Sequence, residues 1–346
     1  IIMKTYQQLW QSLTPLYDAG EAQAIVRTVL DVKYGMTLTD IICGKVNELS
    51  ADESIKLEEI VARLQKGEPV QYVLGQADFA GRTFHVEPGV LIPRPETAEL
   101  CDWIVETQKE SIQKQEDMIR KEFGISPEQD LNDVYLPTSK NMIKRIFLTF
   151  KIFCKTLHCY NISKKHNIAS PYPRIVDLCT GSGCIAITLN LDIPQSSVIG
   201  LDISDKAIEI ATNNAKALGS EAIFRAIDIF DLLQMSKEDK KHNLSADIIV
   251  SNPPYICEKE KADIEKNVLD YEPDIALFVP DEDPLKFYCA IAEFAFNQLR
   301  KDGMLYFEIN PLYEKETREM LEDFGFKDIE TKEDSFGKKR MMRAVK

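Results

Sequence analysis

No apolar run in this chain of 346 residues approaches the ~20 residues that a membrane-spanning helix needs. A membrane reading is therefore set aside. Basic character is also lacking: 42 Lys and Arg stand against 56 Asp and Glu, a formal net charge of −14. Broad contact with a phosphate backbone relies on Lys and Arg, so stable nucleic-acid binding is not expected of the chain as a whole. Histidine is scarce. His85, His158, His166 and His242 fall outside every motif described below, and none is assigned a catalytic role. The eight cysteines are scattered. Cys154, His158 and Cys159 form the tightest ligand-like group, but no second pair stands at metal spacing, so no metal is expected. No secretory signal pattern precedes the cysteines, and reduced thiols in a cytoplasmic protein are expected. Ile1 and Ile2 read as an extension ahead of Met3.

The apolar share, 44 %, is enough for a core, and the length allows one large domain or two ordinary ones. Residues 3–66 read as about four helices. Tyr6, Leu9, Trp10 and Leu13 recur at helical spacing, as do Ile25, Val26, Val29 and Leu30. Ser50 and Glu53 form a capping box ahead of a helix carrying Ile55, Ile60, Val61 and Leu64. These stripes are core packing. Residues 1–70 are read as a small helical domain and 71–95, punctuated by Gly75, Gly81 and Gly89, as a β-hairpin connector. A helix is expected from about Glu96, opening a third part that runs to residue 346.

Within that part, residues 107–172 read as an insertion, mixed in charge and helical to Asp133. From Val134 to Val176 there is no acidic residue, while Lys140, Lys144, Arg145, Lys151, Lys155, Lys164, Lys165 and Arg174 are interleaved with Ile146, Phe147, Phe150 and Phe153. Two readings stand: a basic amphipathic patch for RNA, a partner or a membrane surface, and a solvated basic face, which is the usual fate of a charge run. From Arg174 onward, short apolar runs alternate with helical patterns. That is the rhythm of a mainly parallel, doubly wound α/β sheet, closed by two adjacent strands as an antiparallel hairpin at the sheet edge.

Two strand ends carry the chemistry. The run Ala246–Ser251 stops at Asn252-Pro253-Pro254-Tyr255. Two prolines end a strand and leave a stiff corner without N–H groups, so its carbonyls stay free to accept from a ligand. An amide, a free carbonyl and a ring at the C-terminal edge of an open α/β sheet suit a planar substrate bearing NH2. The first strand runs into Asp177-Leu178-Cys179-Thr180-Gly181-Ser182-Gly183, whose glycines let a ligand approach bare backbone. Asp202 ends the next strand, where a carboxylate pairs with ribose hydroxyls. Asp228 and Ile229 end the third, placed to meet an adenine ring. Ala186 holds the place of a third glycine, and Asp177 before the loop would oppose a phosphate but suit a cation. A sulfonium cofactor, S-adenosylmethionine, fits better than a dinucleotide. Helix capping or turn chemistry is the ordinary alternative for either aspartate taken alone.

These residues resemble the HemK/PrmC family, the N5-glutamine methyltransferases of peptide-chain release factors. The resemblance is carried by Gly67-Glu68-Pro69-Val70-Gln71-Tyr72, Leu91-Ile92-Pro93-Arg94-Pro95-Glu96-Thr97, Asp177–Gly183, Ser251–Tyr255, and Tyr271-Glu272-Pro273 with Ala276-Leu277. It implies a seven-stranded, Rossmann-like class I methyltransferase domain behind a helical domain that recognises substrate. It implies S-adenosylmethionine binding by Asp177, Cys179, Thr180, Gly181, Ser182, Gly183, Asp202, Asp228, Ile229 and Asn252. Substrate would be held by Asn252, Pro253, Pro254, Tyr255, Arg94 and Glu96. Asn252, Pro253 and Tyr255 would do the catalytic work: two carbonyl-type oxygens accept the amide N–H bonds, and the ring stacks on the amide. The implied partner is release factor, acted on by a monomer in the cytoplasm. Asn-Pro-Pro-Tyr is shared with amino-methyltransferases of DNA and RNA bases, which remain the rival reading; a non-enzymatic scaffold is a second. Cys179 stands where the family's loop has its first glycine, and an extended backbone is expected there to make room for it.

Overall fold

The computed structural model describes residues 4–123, 173–238 and 245–346. The basic residues Lys140 to Lys165, the Cys154, His158 and Cys159 group, His166 and His242 lie outside the described residues. Among the described residues, no helix is long and apolar enough to cross a membrane.

Side-chain caps begin the chain's first four helices, α1 (Tyr6–Gln11), α2 (Ala19–Tyr34), α3 (Leu38–Ile42) and α4 (Ala51–Leu64). Thr5, Asp18, Thr37 and Ser50 each accept backbone N–H groups that the first turn leaves unpaired. Leu9, Leu13, Val26, Leu30, Val61 and Leu64 close the core that these helices share. A fifth helix, α5 (Val70–Leu74), faces two ways. Val73 and Leu74 enter the helical core, while Tyr72 packs with Val86, Val90, Ile92 and Ile210 of the following domain. The Tyr72 hydroxyl, buried, donates to the Val90 carbonyl at 2.5 Å.

A hairpin of β1 (Gln76–Phe79) and β2 (Arg82–His85) comes next. Asn214 receives the His85 N–H and donates to the carbonyls of His85 and Ser182, so one amide ties the hairpin to the loop after the first sheet strand. Then α6 (Pro95–Phe123) runs for 29 residues. It passes residue 107 without interruption, so the insertion read from that point begins as a continuation of this helix. Leu100, Cys101, Trp103 and Ile104 bury its first half against the sheet.

The main sheet holds β3 (Arg174–Leu178), β4 (Ser197–Asp202), β5 (Ile223–Ala226), β6 (Ala246–Ser251), β9 (Leu299–Glu308), β10 (Lys327–Glu333) and β11 (Lys339–Val345). Their order is β10-β11-β9-β6-β3-β4-β5, parallel except for β11. The final two strands do pair antiparallel, but β11 inserts between β9 and β10, so β10 is the edge. Its composition explains this: Met341, Met342 and Ala344 of β11 are buried, whereas Lys327–Glu333 is largely polar. Helices α7 (Cys184–Asp192) and α8 (Asp205–Leu218) follow β3 and β4, and α6 covers the same face. Helices α9 (Ile229–Glu238), α10 (Lys266–Tyr271), α11 (Asp274–Leu277), α12 (Lys286–Gln298) and α13 (Glu314–Asp323) come later in the chain. Of these, α9, α12 and α13 pack on the opposite face. The chain leaves β3 toward β4 and β5, then returns to the other side of β3 as β6. That reversal opens a crevice at the C-terminal ends of β3 and β6.

Candidate active site

The crevice holds a cavity of about 330 Å³, within the range of small-ligand sites. One wall is the loop after β3. Thr180 N–H bonds to the Leu201 carbonyl at 3.0 Å, and Gly181 N–H bonds to Asp202 Oδ2 at 2.9 Å. The backbone of the loop is thereby drawn against the end of β4. Gly200 permits it: a Cβ there would stand 2.6 Å from both the Phe224 ring and Thr180 Oγ1. Cys179 has φ +60°, in the left-handed region and not extended as expected. The loop turns back on itself at this residue to reach β4, and that turn needs a positive φ whichever residue occupies it. Glycine adopts it freely and cysteine does so under strain.

Asp177 is fully buried beneath the loop and does not line the cavity. Its Oδ2 accepts from Thr180 Oγ1 at 2.5 Å and Ala186 N–H at 3.2 Å. Its Oδ1, also buried, has no hydrogen-bond partner among the described residues. Burial pushes this carboxyl up to about 7. Asp202 does line the cavity; its Oδ1 accepts the Ser204 N–H at 3.0 Å, and burial raises its pKa too. Each oxygen keeps a second lone pair for a ligand hydroxyl. Asp228, held by Phe230 N–H at 2.8 Å, and buried Ile229 continue the wall.

The opposite wall belongs to the corner after β6. Asn252 and Pro254 line the cavity, while Pro253, Tyr255 and Glu96 do not. Among the described residues, no donor reaches the Pro253 carbonyl. Asn252 Nδ2 donates to Thr97 Oγ1 at 3.3 Å, and Tyr255 OH donates to Glu308 Oε1 at 2.9 Å. The Tyr255 ring packs against the core of the sheet, since a half-buried phenol settles where its hydroxyl finds an acceptor. A short parallel pair, β7 (Ile256–Cys257) with β8 (Phe278–Val279), pins the corner to the segment that follows Glu272.

Arg94 reaches the cavity rim but is committed to an ion pair with buried Glu272 at 2.5 Å. The same carboxylate accepts Ile92 N–H at 3.1 Å. The segments Leu91–Thr97 and Tyr271–Pro273, both among those that carry the resemblance, are therefore one clamp. Sequence reasoning missed Glu308, Thr97 as a participant, and Lys286 and Phe287, which also line the wall beside Phe230. Glu308 did leave a signal: it is a carboxylate at the end of the apolar run Met304–Phe307.

S-adenosylmethionine fits this donor set. The Asp202 carboxylate at the end of β4 suits ribose hydroxyls, and the glycine-bearing loop presents backbone. Ile203 and Ile275, both lining the cavity yet 51 % and 60 % exposed, offer apolar surface that a bound molecule would cover.

The family model of the PrmC N-terminal domain matches residues 14–75, and a methyltransferase-domain model matches residues 170–331. A release factor glutamine methyltransferase of Bacteroides thetaiotaomicron is 38 % identical over 334 residues, covering 96 % of each chain. A protein of the same name from Flavobacterium psychrophilum is 33 % identical over 344 residues, covering 99 % of each.

Proposed function

The chain belongs to the release factor glutamine methyltransferases, and we propose that it methylates the side-chain amide nitrogen of the glutamine in a release factor's Gly-Gly-Gln segment. S-adenosylmethionine is the cofactor; when bound, it supplies an electrophilic methyl group. The observation that carries the reading is the placement of Asn252 and Pro254 on the same cavity as Asp202 and the 179–182 loop.

An amide nitrogen is a poor nucleophile because its lone pair is delocalised into the carbonyl. Asn252 Oδ1 and the Pro253 carbonyl accept its two N–H bonds. Both bonds strengthen as the nitrogen gains positive charge, so they favour the transition state over the ground state. Tyr255, anchored on Glu308, stiffens the corner that carries both acceptors. Asp202 holds the hydroxyl-bearing side of the cofactor, Asp228 and Ile229 meet its adenine, and Asp177 braces the loop from below. Arg94 and Glu272 shape the rim where the substrate enters. The helices of residues 6–74 grip the release factor, and one chain in the cytoplasm supplies the whole site.

Incubation with labelled S-adenosylmethionine and release factor, followed by mapping of the label, tests this. The label is expected on the glutamine of Gly-Gly-Gln and is expected to vanish in Asn252→Ala, whose cofactor binding largely survives. Label on a nucleobase, or equal rates in variant and parent, would overturn the reading.

A further inference from the structure

An amide side chain can point either end at a neighbour, and only its bonding partners decide which. Asn252 acts as an acceptor only if its oxygen faces the cavity. Thr97 Oγ1 lies 3.3 Å from Asn252 Nδ2 on one side and 2.5 Å from Glu308 Oε2 on the other. Its single proton goes to Glu308. The carboxylate of Glu308 receives a second hydroxyl proton, from Tyr255 at 2.9 Å, so both its oxygens act as acceptors. With its proton spent, the Thr97 hydroxyl has only lone pairs to offer Asn252. An amide nitrogen bonds there; an amide oxygen would meet another bare acceptor. Among the described residues, no hydrogen bond reaches Asn252 Oδ1, which is left for substrate.

We propose that Thr97 and Glu308 are positioning residues that set the flip of Asn252, turning its oxygen toward the substrate amide. The relay Tyr255–Glu308–Thr97–Asn252 joins the end of β9, the first turn of α6 and the corner after β6. Glu308 and Thr97 are 2 % exposed, so water does not substitute for either partner. The proposal rests on the methyl-transfer reading and adds the orientation of its acceptor.

Thr97→Val keeps the shape and removes the hydroxyl; Thr97→Ser keeps the hydroxyl. On intact release factor, Thr97→Val should lower kcat about tenfold with KM nearly unchanged, the loss expected when one hydrogen bond no longer acts in the transition state. Thr97→Ser should restore most of kcat. S-adenosylmethionine affinity should stay close to the parent's in both variants, while Thr97→Val should lower the unfolding midpoint by roughly 2–4 °C because Glu308 loses a buried donor, and Thr97→Ser should not. A parent-like kcat in Thr97→Val, or equal losses in both variants, would overturn the proposal. A parent enzyme that leaves release factor unlabelled would overturn the functional reading itself, which the parallel parent reaction reveals.

Discussion

Cys179 offers a direct measurement of backbone strain in the cofactor loop. Its φ of +60° places a side chain in the left-handed region, where Cβ crowds the following carbonyl. That crowding costs roughly 1–2 kcal/mol for a non-glycine residue. Replacing cysteine by glycine removes it. Glycine in turn widens the unfolded ensemble, which offsets about 0.4–1 kcal/mol. A third effect, the lost contacts of the thiol, burdens the comparison with the parent. Cys179→Ala separates these effects, because alanine also loses the thiol yet keeps the Cβ. The informative quantity is therefore the difference between the two variants. Cys179→Gly should exceed Cys179→Ala by about 1 kcal/mol, or roughly 2–4 °C in unfolding midpoint for a domain of this size. Thermal unfolding followed by circular dichroism, without cofactor, measures it. A glycine variant no more stable than the alanine variant would refute the strain argument.

Other positions test other parts of the site. Asp177 binds its proton more tightly when folded, with a pKa near 7 against an ordinary 3.8. The folded state then holds more protons than the unfolded one between about pH 4 and 7, so stability declines as pH rises through that window. Asp177→Asn removes this term: between pH 5 and 8 the variant should gain about 2–3 kcal/mol relative to the parent, read by urea unfolding at the two values. A pH-independent difference would mean that burial does not raise this carboxyl. Arg94→Ala leaves the Glu272 carboxylate, 1 % exposed in its side chain, without its cation. A loss of about 2 kcal/mol is expected, below the range for a fully buried pair because Arg94 is one-third exposed. Denaturant unfolding should also show Glu272→Ala to be the milder change. Gly200→Ala forces a Cβ to within 2.6 Å of Phe224 and Thr180. About 1–3 kcal/mol of overpacking and weaker cofactor binding by calorimetry should appear together; normal binding would show that the loop tolerates retreat.

The clamp and the relay share a design. Glu272 and Glu308 are both carboxylates buried at the ends of elements, and each takes one partner from the segment ahead of and opening α6, nearly two hundred residues or more away in the chain. Arg94 and Glu272 are 178 positions apart, and Thr97 and Glu308 are 211 apart. Arg94 and Thr97 sit three residues from one another. One short segment at the start of α6 therefore braces the rim of the cavity with one hand and the acceptor corner with the other. Buried charges of this kind are costly to leave unpaired, which keeps the two halves of the site in a single arrangement.

Local chemistry determined much of this protein from its sequence. Paired prolines after an apolar run stop a strand wherever it lies, so the corner at Asn252 was legible without a fold. The alternation of short strands and helices after Arg174 implied a doubly wound sheet, and such a sheet places Asp202, Asp228 and the 179–183 loop at one edge. What the tertiary structure decided is which atoms of those residues are spent. It turned Asp177 inward beneath the loop, bent Cys179 into a positive φ, inserted β11 between β9 and β10, and set Thr97 between Asn252 and Glu308. The reason is geometric. A motif specifies which donors and acceptors exist. Only packing brings distant ones within hydrogen-bond reach and leaves a particular lone pair free for the substrate.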